Sequence, residues 1–256
     1  MKQKVERIAR SLSEQIITWD TVDAITLADS AHEEVLDPYF FLSLDVYFTR
    51  EIPPGDERKG FFPDSVAFET SIGYHKDRFL LEDFPVRIEY KHIPAITSMV
   101  DNPGDHLEVY NRIGTYSLYR LFYGDILGVK SSWLQEIRTT LDNLPTSFWQ
   151  VLKNSFQASL GHTVNDLESS TLQDDTYFFV LSSAQLVKKM VSLLFVINRE
   201  FEPSARKSSE YVFTLPSLPE NFRGRFESFL RQDGGLDMRR KAEVAELMAK
   251  SVLAMG

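Results

Sequence analysis

Apolar residues at Val5, Ile8, Leu12, Ile16 and Trp19 recur at steps of three and four, the spacing of one helix face. Residues 24–28 (AITLA) read as a short buried strand. Asp29 and Ser30 follow as residue types that cap a helix N-terminus, with Glu33 three places after Ser30. Asp37-Pro38 marks a turn. Residues 41–49 (FLSLDVYFT) are the clearest strand: Leu42, Leu44, Val46 and Phe48 fall on one face, Ser43, Asp45 and Tyr47 on the other. The polar, Pro- and Gly-bearing residues 51–60 (EIPPGDERKG) predict a loop, and residues 66–74 a further strand. Residues 86–93 (VRIEYKHI) alternate again, with Arg87, Glu89 and Lys91 opposite Val86, Ile88 and Tyr90, and Pro94 closes that strand.

After about residue 106 the period changes from two to about 3.6. Tyr116, Tyr119, Leu121 and Phe122 open a helical region, and Trp133, Ile137 and Leu141 continue it. Pro145 lies at a new helix start, followed by Phe148, Leu152 and Phe156. Leu186, Met190, Leu193, Leu194 and Ile197 predict the most apolar helix, nearly buried all round. A last helix is expected from about Leu236 to Ala254, with Val244, Leu247, Met248 and Val252 inward. The chain therefore reads as α+β: an N-terminal mixed sheet flanked by helices over residues 1–106, then a helical bundle domain over 107–256, with a cleft between them. The expected core includes Leu42, Leu44, Val46, Ile88, Leu186, Met190 and Leu194.

Composition narrows the function classes. Of 256 residues, 28 are Lys or Arg and 37 are Asp or Glu, a net charge of −9 that argues against general nucleic-acid or anionic-membrane binding. There is no cysteine, so disulfides, thiolate nucleophiles and Cys-ligated zinc are excluded, and a reducing cytoplasm fits. Lys188 and Lys189 interrupt the apolar stretch 177–197, leaving too short an uncharged run for a bilayer span. The first 17 residues lack the apolar region of a signal peptide, so a cytoplasmic protein is expected. The five histidines form no HExxH motif, and no P-loop, Gly-x-Gly-x-x-Gly or Gly-x-Ser-x-Gly occurs. Oligomeric state is not legible.

Asp29-Ser30, Ser43-Leu44-Asp45 and Glu89 stand out as a constellation. Around them the chain resembles the nucleotidyltransferase superfamily, especially the branch of aminoglycoside (kanamycin-type) nucleotidyltransferases. That pattern is a strand ending in Gly-Ser, a helix, a strand with Asp-x-Asp, and a third carboxylate on a later strand. Residues 25–48 match the first parts, and residues 86–93 match the last. Residues 120–137, 144–156 and 178–207 look like the branch's helical domain. The resemblance implies that Asp45 and Glu89 hold Mg²⁺, with Glu89 also the general-base candidate, while Ser30 and Ser43 meet the nucleotide. Lys207, after the Pro203 turn, would reach phosphate. The partners would be an NTP and a small-molecule hydroxyl acceptor, and the reaction transfer of a nucleoside monophosphate. In physical terms, i and i+2 carboxylates on a strand point to one side, and a third on a neighbouring strand completes an oxygen cage for Mg²⁺.

The sequence departs from that pattern in three places. Ser43 replaces the first Asp, Asp29 replaces the Gly, and Glu33 and Glu34 lie one turn into the following helix. A carboxylate ~6 Å from a phosphate charge costs roughly 3 kcal/mol at an effective dielectric of ~20. All three changes oppose Mg-triphosphate, so transfer is expected to be weak or absent. A catalytically inactive relative of the fold, binding a ligand or a protein, is the alternative. Ser30 also reads as a plain N-cap, Glu89 as charge alternation, and Lys207 as a cation near a helix end.

Overall fold

The computed structural model describes residues 2–28, 41–73, 75–231 and 237–255. The turn at Asp37-Pro38 and the residues Asp29, Ser30, Glu33 and Glu34 lie outside the described residues. The chain forms two compact units: Met1–Asp101 with Arg120–Asn143, and Asn102–Tyr119 with Leu144–Gly256. The sequence reading has one boundary, after residue 106. The units instead interleave, because residues 120–143 return to the first unit and add a strand to its sheet.

The first unit opens with helix α1 (Lys2–Ile16), whose apolar stripe Val5, Ile8, Ala9, Leu12 and Ile16 is buried. Strands β1 (Val22–Leu27) and β2 (Leu42–Phe48) follow, then helix α2 (Gly55–Phe61). Strands β3 (Val66–Thr70), β4 (Lys76–Leu81) and β5 (Phe84–His92) come next, and helix α3 (Ile93–Asp101) begins beside Pro94. The six-stranded sheet has the order β3-β4-β5-β2-β1-β6, where β6 is Asp125–Val129. β2 and β5 pair in parallel; the other pairings are antiparallel. The fold class is therefore α+β with a mixed sheet. Leu42, Leu44, Val46, Val86, Ile88 and Tyr90 join the α1 stripe in one hydrophobic core.

Three parts of this unit differ from the sequence expectation. Residues 55–61 are helix rather than loop: acidic Asp56 and Glu57 sit in the first turn and basic Arg58 and Lys59 in the last, which suits the helix dipole. Arg58 anchors that helix. Its Nε and Nη2 donate to Asp77 Oδ2 and Oδ1 at 2.7 and 2.8 Å, both side chains being fully buried. Thr70 and Tyr90 hydroxyls donate to the same carboxylate at 2.9 and 2.8 Å. β4 carries no strand signal in the sequence because Asp77 occupies an inward position, a buried charge that breaks the apolar alternation. β6 is short and lies within helical periodicity, so its pairing with β1 left no local signal.

The second unit is helical. It holds α4 (Leu107–Ile113), the start of α5 (Tyr116–Tyr123), α7 (Thr146–Leu172), α8 (Thr176–Ile197), α9 (Ala205–Tyr211), α10 (Phe222–Leu230) and α11 (Met238–Leu253). Helix α6 (Trp133–Asp142) belongs to the first unit. α7 and α8 pack along each other through the short link 173–175, and α11 packs on both. Asp175 caps α8 by accepting from Phe178 N at 3.0 Å. The expected core residues Leu186, Met190 and Leu194 are fully buried. Burial all round holds only over residues 190–196 of α8; Tyr177, Val180, Leu181 and Lys188 are exposed. α8 is long and apolar enough to cross a membrane by length and composition, and half of its apolar window is buried within the protein. In α11 the inward residues are Ala245, Met248, Ala249 and Val252, whereas Leu247 is exposed.

Candidate functional site

The face of the sheet opposite the hydrophobic core carries a lattice of charges. Strand register builds it. Ser43 stands beside Arg87, Asp45 beside Glu89, and Tyr47 beside Lys91 across β2 and β5. Lys76 and Arg78 of β4 stand beside Glu89 and Arg87, and Glu69 of β3 beside Arg78. Neighbours in register point to the same side of a sheet, so the parallel pairing of β2 with β5 brings Glu89 to the side of Ser43 and Asp45.

Alternation puts Ser43, Asp45 and Tyr47 on the polar face of β2, and every residue of that strand is buried. Arg120 provides the cover. It comes from α5, immediately before the chain turns at Gly124 and pairs as β6 with β1. Arg138 of α6 secures this turn by donating to the carbonyl oxygens of Leu121 and Gly124. So delivered, Arg120 grips Asp45 with both arms of its fork: Nη2 to Oδ1 at 2.6 Å and Nε to Oδ2 at 2.8 Å. Nη2 also donates to Ser43 Oγ at 2.8 Å. Lys91 Nζ donates to Asp45 Oδ2 at 2.8 Å. Trp133 packs against Tyr47, ring centroids 5.4 Å apart, and closes the end of the face.

Glu89 is surrounded in the same way. Its carboxylate lies 3.2 Å from Lys76, 3.3 Å from Arg87 and 3.4 Å from Arg120. Burial alone would raise its pKa, but Arg120, Lys91, Arg87 and Lys76 bring it down to about 2. Burial pushes the Lys91 ammonium down, against the pull of Asp45. The Tyr47 hydroxyl is raised, first by burial and then by Asp45.

Two carboxylates thus meet four cations: Arg120, Lys91, Arg87 and Lys76. These residues do not fit Mg²⁺. The oxygens of Asp45 already accept from a guanidinium and an ammonium, Ser43 brings no charge, and a dication would enter beside fixed positive charge. Among the described residues no group of three or more His, Cys, Asp or Glu could hold a metal ion.

A cavity of about 650 Å³ opens over the lattice, lined by residues of β3, β4, β5 and the turn before β4, among them Lys76, Arg78 and Lys91. Of the residues singled out from sequence, Ser43, Asp45 and Glu89 come together. Lys207 lies in the first turn of α9, in the second unit. Ser30 lies outside the described residues. Arg120 was missed; its only sequence signal is a lone cation within the apolar helical run 118–122.

Searches of protein-family models and of curated proteins return no match. Among solved structures, the chain is similar to a nucleotidyltransferase-like protein from Exiguobacterium sibiricum 255-15, with TM-score 0.52 and 12 % identity over 97 % of this chain and 74 % of that one. A CCA-adding enzyme solved with ATP covers 99 % of this chain and 81 % of its own at 8 % identity, but with a TM-score of 0.30, too low to carry an argument. The fold is nucleotidyltransferase-like. At such identity the likeness reaches the fold and leaves the chemistry to the site.

Proposed function

We propose that this chain is a non-catalytic nucleotidyltransferase-fold protein, a ligand-binding module whose carboxylate site is closed to metal by its own cations. The observation that carries this reading is the bidentate grip of Arg120 on Asp45, completed by Lys91. In this fold the strand carboxylates are the groups available to hold catalytic ions, and here their lone pairs are spent on nitrogen donors. A unit of like charge at ~4 Å costs about 4 kcal/mol at an effective dielectric of ~20. A dication entering beside Arg120 and Lys91 meets that unit repulsion four times over, two charges against each of two cations, without a third carboxylate to offset it. Dislodging the guanidinium is no cheaper, because Arg120 is itself buried and would lose its partner.

The test is calorimetry with Mg-ATP, Mg-GTP and Mg-CTP, alongside a transfer assay using α-labelled nucleotides and polyhydroxylated acceptors. The expected outcome is no Mg²⁺-dependent binding and no labelled product, with Asp45→Asn indistinguishable from the parent. Magnesium-dependent transfer that vanishes in Asp45→Asn would sink the proposal, since it would mean that Arg120 yields its place to metal in the working protein.

A further inference from the structure

We infer that the cavity over β3, β4 and β5 takes the phosphate group of a small phosphorylated sugar or nucleotide directly, without a divalent ion. The inference rests on the non-catalytic reading and deepens it by naming the ligand class of the same site.

The cavity is of small-molecule size, about 650 Å³. Lys76, Arg78 and Lys91 line it together with Thr70, Ser71 and His75. The chain as a whole carries −9, so a cluster of cations in one concavity is a local reversal of sign. The two carboxylates on its wall differ in kind. Glu89 is neutralised by Lys76, Arg87 and Arg120 at 3.2 to 3.4 Å. Glu69 stands in register with Arg78, yet Arg78 makes no ion pair among the described residues. Arg78 is exposed, lies in the wall of the cavity and keeps its donor fork for a ligand.

The donor set selects phosphate. A planar guanidinium binds two oxygens of one phosphate in parallel, and an ammonium adds a point charge to a third. A phosphate presents three terminal oxygens and up to two negative charges where a carboxylate presents two oxygens and one charge, so it matches Arg78, Lys76 and Lys91 together better than a carboxylate does. Direct binding follows from the site chemistry already described: where cations stand in place of metal, they supply the counter-charge that Mg²⁺ otherwise brings to a phosphate. Glu69 then serves as an acceptor for a ligand hydroxyl, which is why the ligand is a phosphorylated sugar or nucleotide rather than phosphate alone.

The experiment is calorimetry on the full chain in excess EDTA with three probes: inorganic phosphate, ribose 5-phosphate and ADP. The expected result is that ribose 5-phosphate or ADP binds with metal removed, more tightly than inorganic phosphate, and that the better of the two names the source. Arg78→Ala should weaken binding roughly tenfold or more, the loss of a charge-assisted hydrogen bond, and Arg78→Lys should restore part of it. Because Arg78 is exposed, an unchanged melting temperature in Arg78→Ala separates lost binding from lost folding. Glu69→Ala should narrow the preference for the sugar phosphate over inorganic phosphate, because it removes the hydroxyl acceptor while relieving like-charge repulsion on either phosphate. Failure of all three probes in EDTA overturns the inference, as does binding unaffected by both Arg78→Ala and Lys76→Ala. If Mg-ATP also fails to bind, the non-catalytic reading survives that failure. If ADP binds only when Mg²⁺ is present, both fall.

Discussion

At the residue scale, the balance around Asp45 decides both stability and chemistry. A buried carboxylate that loses its counter-ion is costly, while the intact pair is close to neutral against an apolar replacement. Arg120→Ala is therefore expected to destabilise the first unit by roughly 3–5 kcal/mol, measured by denaturant unfolding. Asp45→Asn should cost less in the Arg120→Ala background than alone, because only the Lys91 ion pair is then still lost and no buried guanidinium is left without its carboxylate; a double-mutant cycle that is simply additive would mean that the two side chains do not depend on each other. Asp45 and Glu89 were legible from alternation and from the resemblance. Arg120 was not, because an arginine in an amphipathic helix looks like any solvated cation until the strand it covers is known.

At the element scale, periodicity named α1, β1, β2, β5, α6, α7, α8 and α11 to within a few residues. It failed where a buried ion pair replaces an apolar contact, as with Arg58 and Asp77 in α2 and β4. The C-terminal half of α8 offers a direct check. Met190 is fully buried, so Met190→Ala should cost roughly 2–5 kcal/mol, and a loss below about 0.5 kcal/mol would mean that this turn faces water. The end of α4 offers another. Gly114 adopts φ 62° and ψ −147°, and a Cβ there would lie 1.9 Å from Glu202 Oε2. Gly114→Ala combines backbone strain with that collision and should cost at least about 2 kcal/mol in unfolding experiments on the second unit.

At the scale of the whole molecule, the two units respond to pH in opposite senses. Glu202, in the second unit, is buried and accepts a hydrogen bond from Ser192 Oγ at 2.7 Å. Burial raises its pKa from 4.5 to about 7, the Ser192 bond and Lys188 pulling it back in part. The folded state thus binds this proton more tightly than the unfolded chain does. Its contribution is fully present below about pH 4.5 and is lost as pH rises through about 7, with roughly 3 kcal/mol at stake. Glu202→Gln should flatten the decline between pH 6 and 8 and raise the melting temperature at pH 8; an unchanged slope would refute the assignment. Glu89, in the first unit, has its pKa lowered from 4.5 to about 2, so its contribution is present above about 4.5 and lost as pH falls through about 2.

The sequence by itself determined the α+β class, the change from strand to helix period and most of the core. Each of these rests on local spacing, two residues along a strand or three to four along a helix, and local spacing is written in the chain. Only the tertiary structure decided that residues 120–143 rejoin the first unit. It alone decided that β4 and β6 complete the sheet and that Arg120 and Lys91 hold Asp45. The hold on Asp45 depends on contacts between residues 46 and 75 positions apart. A charge far along the chain leaves no periodic trace at the strand it neutralises, so the same Asp45 reads as a metal ligand in sequence and is an ion-pair partner in the fold.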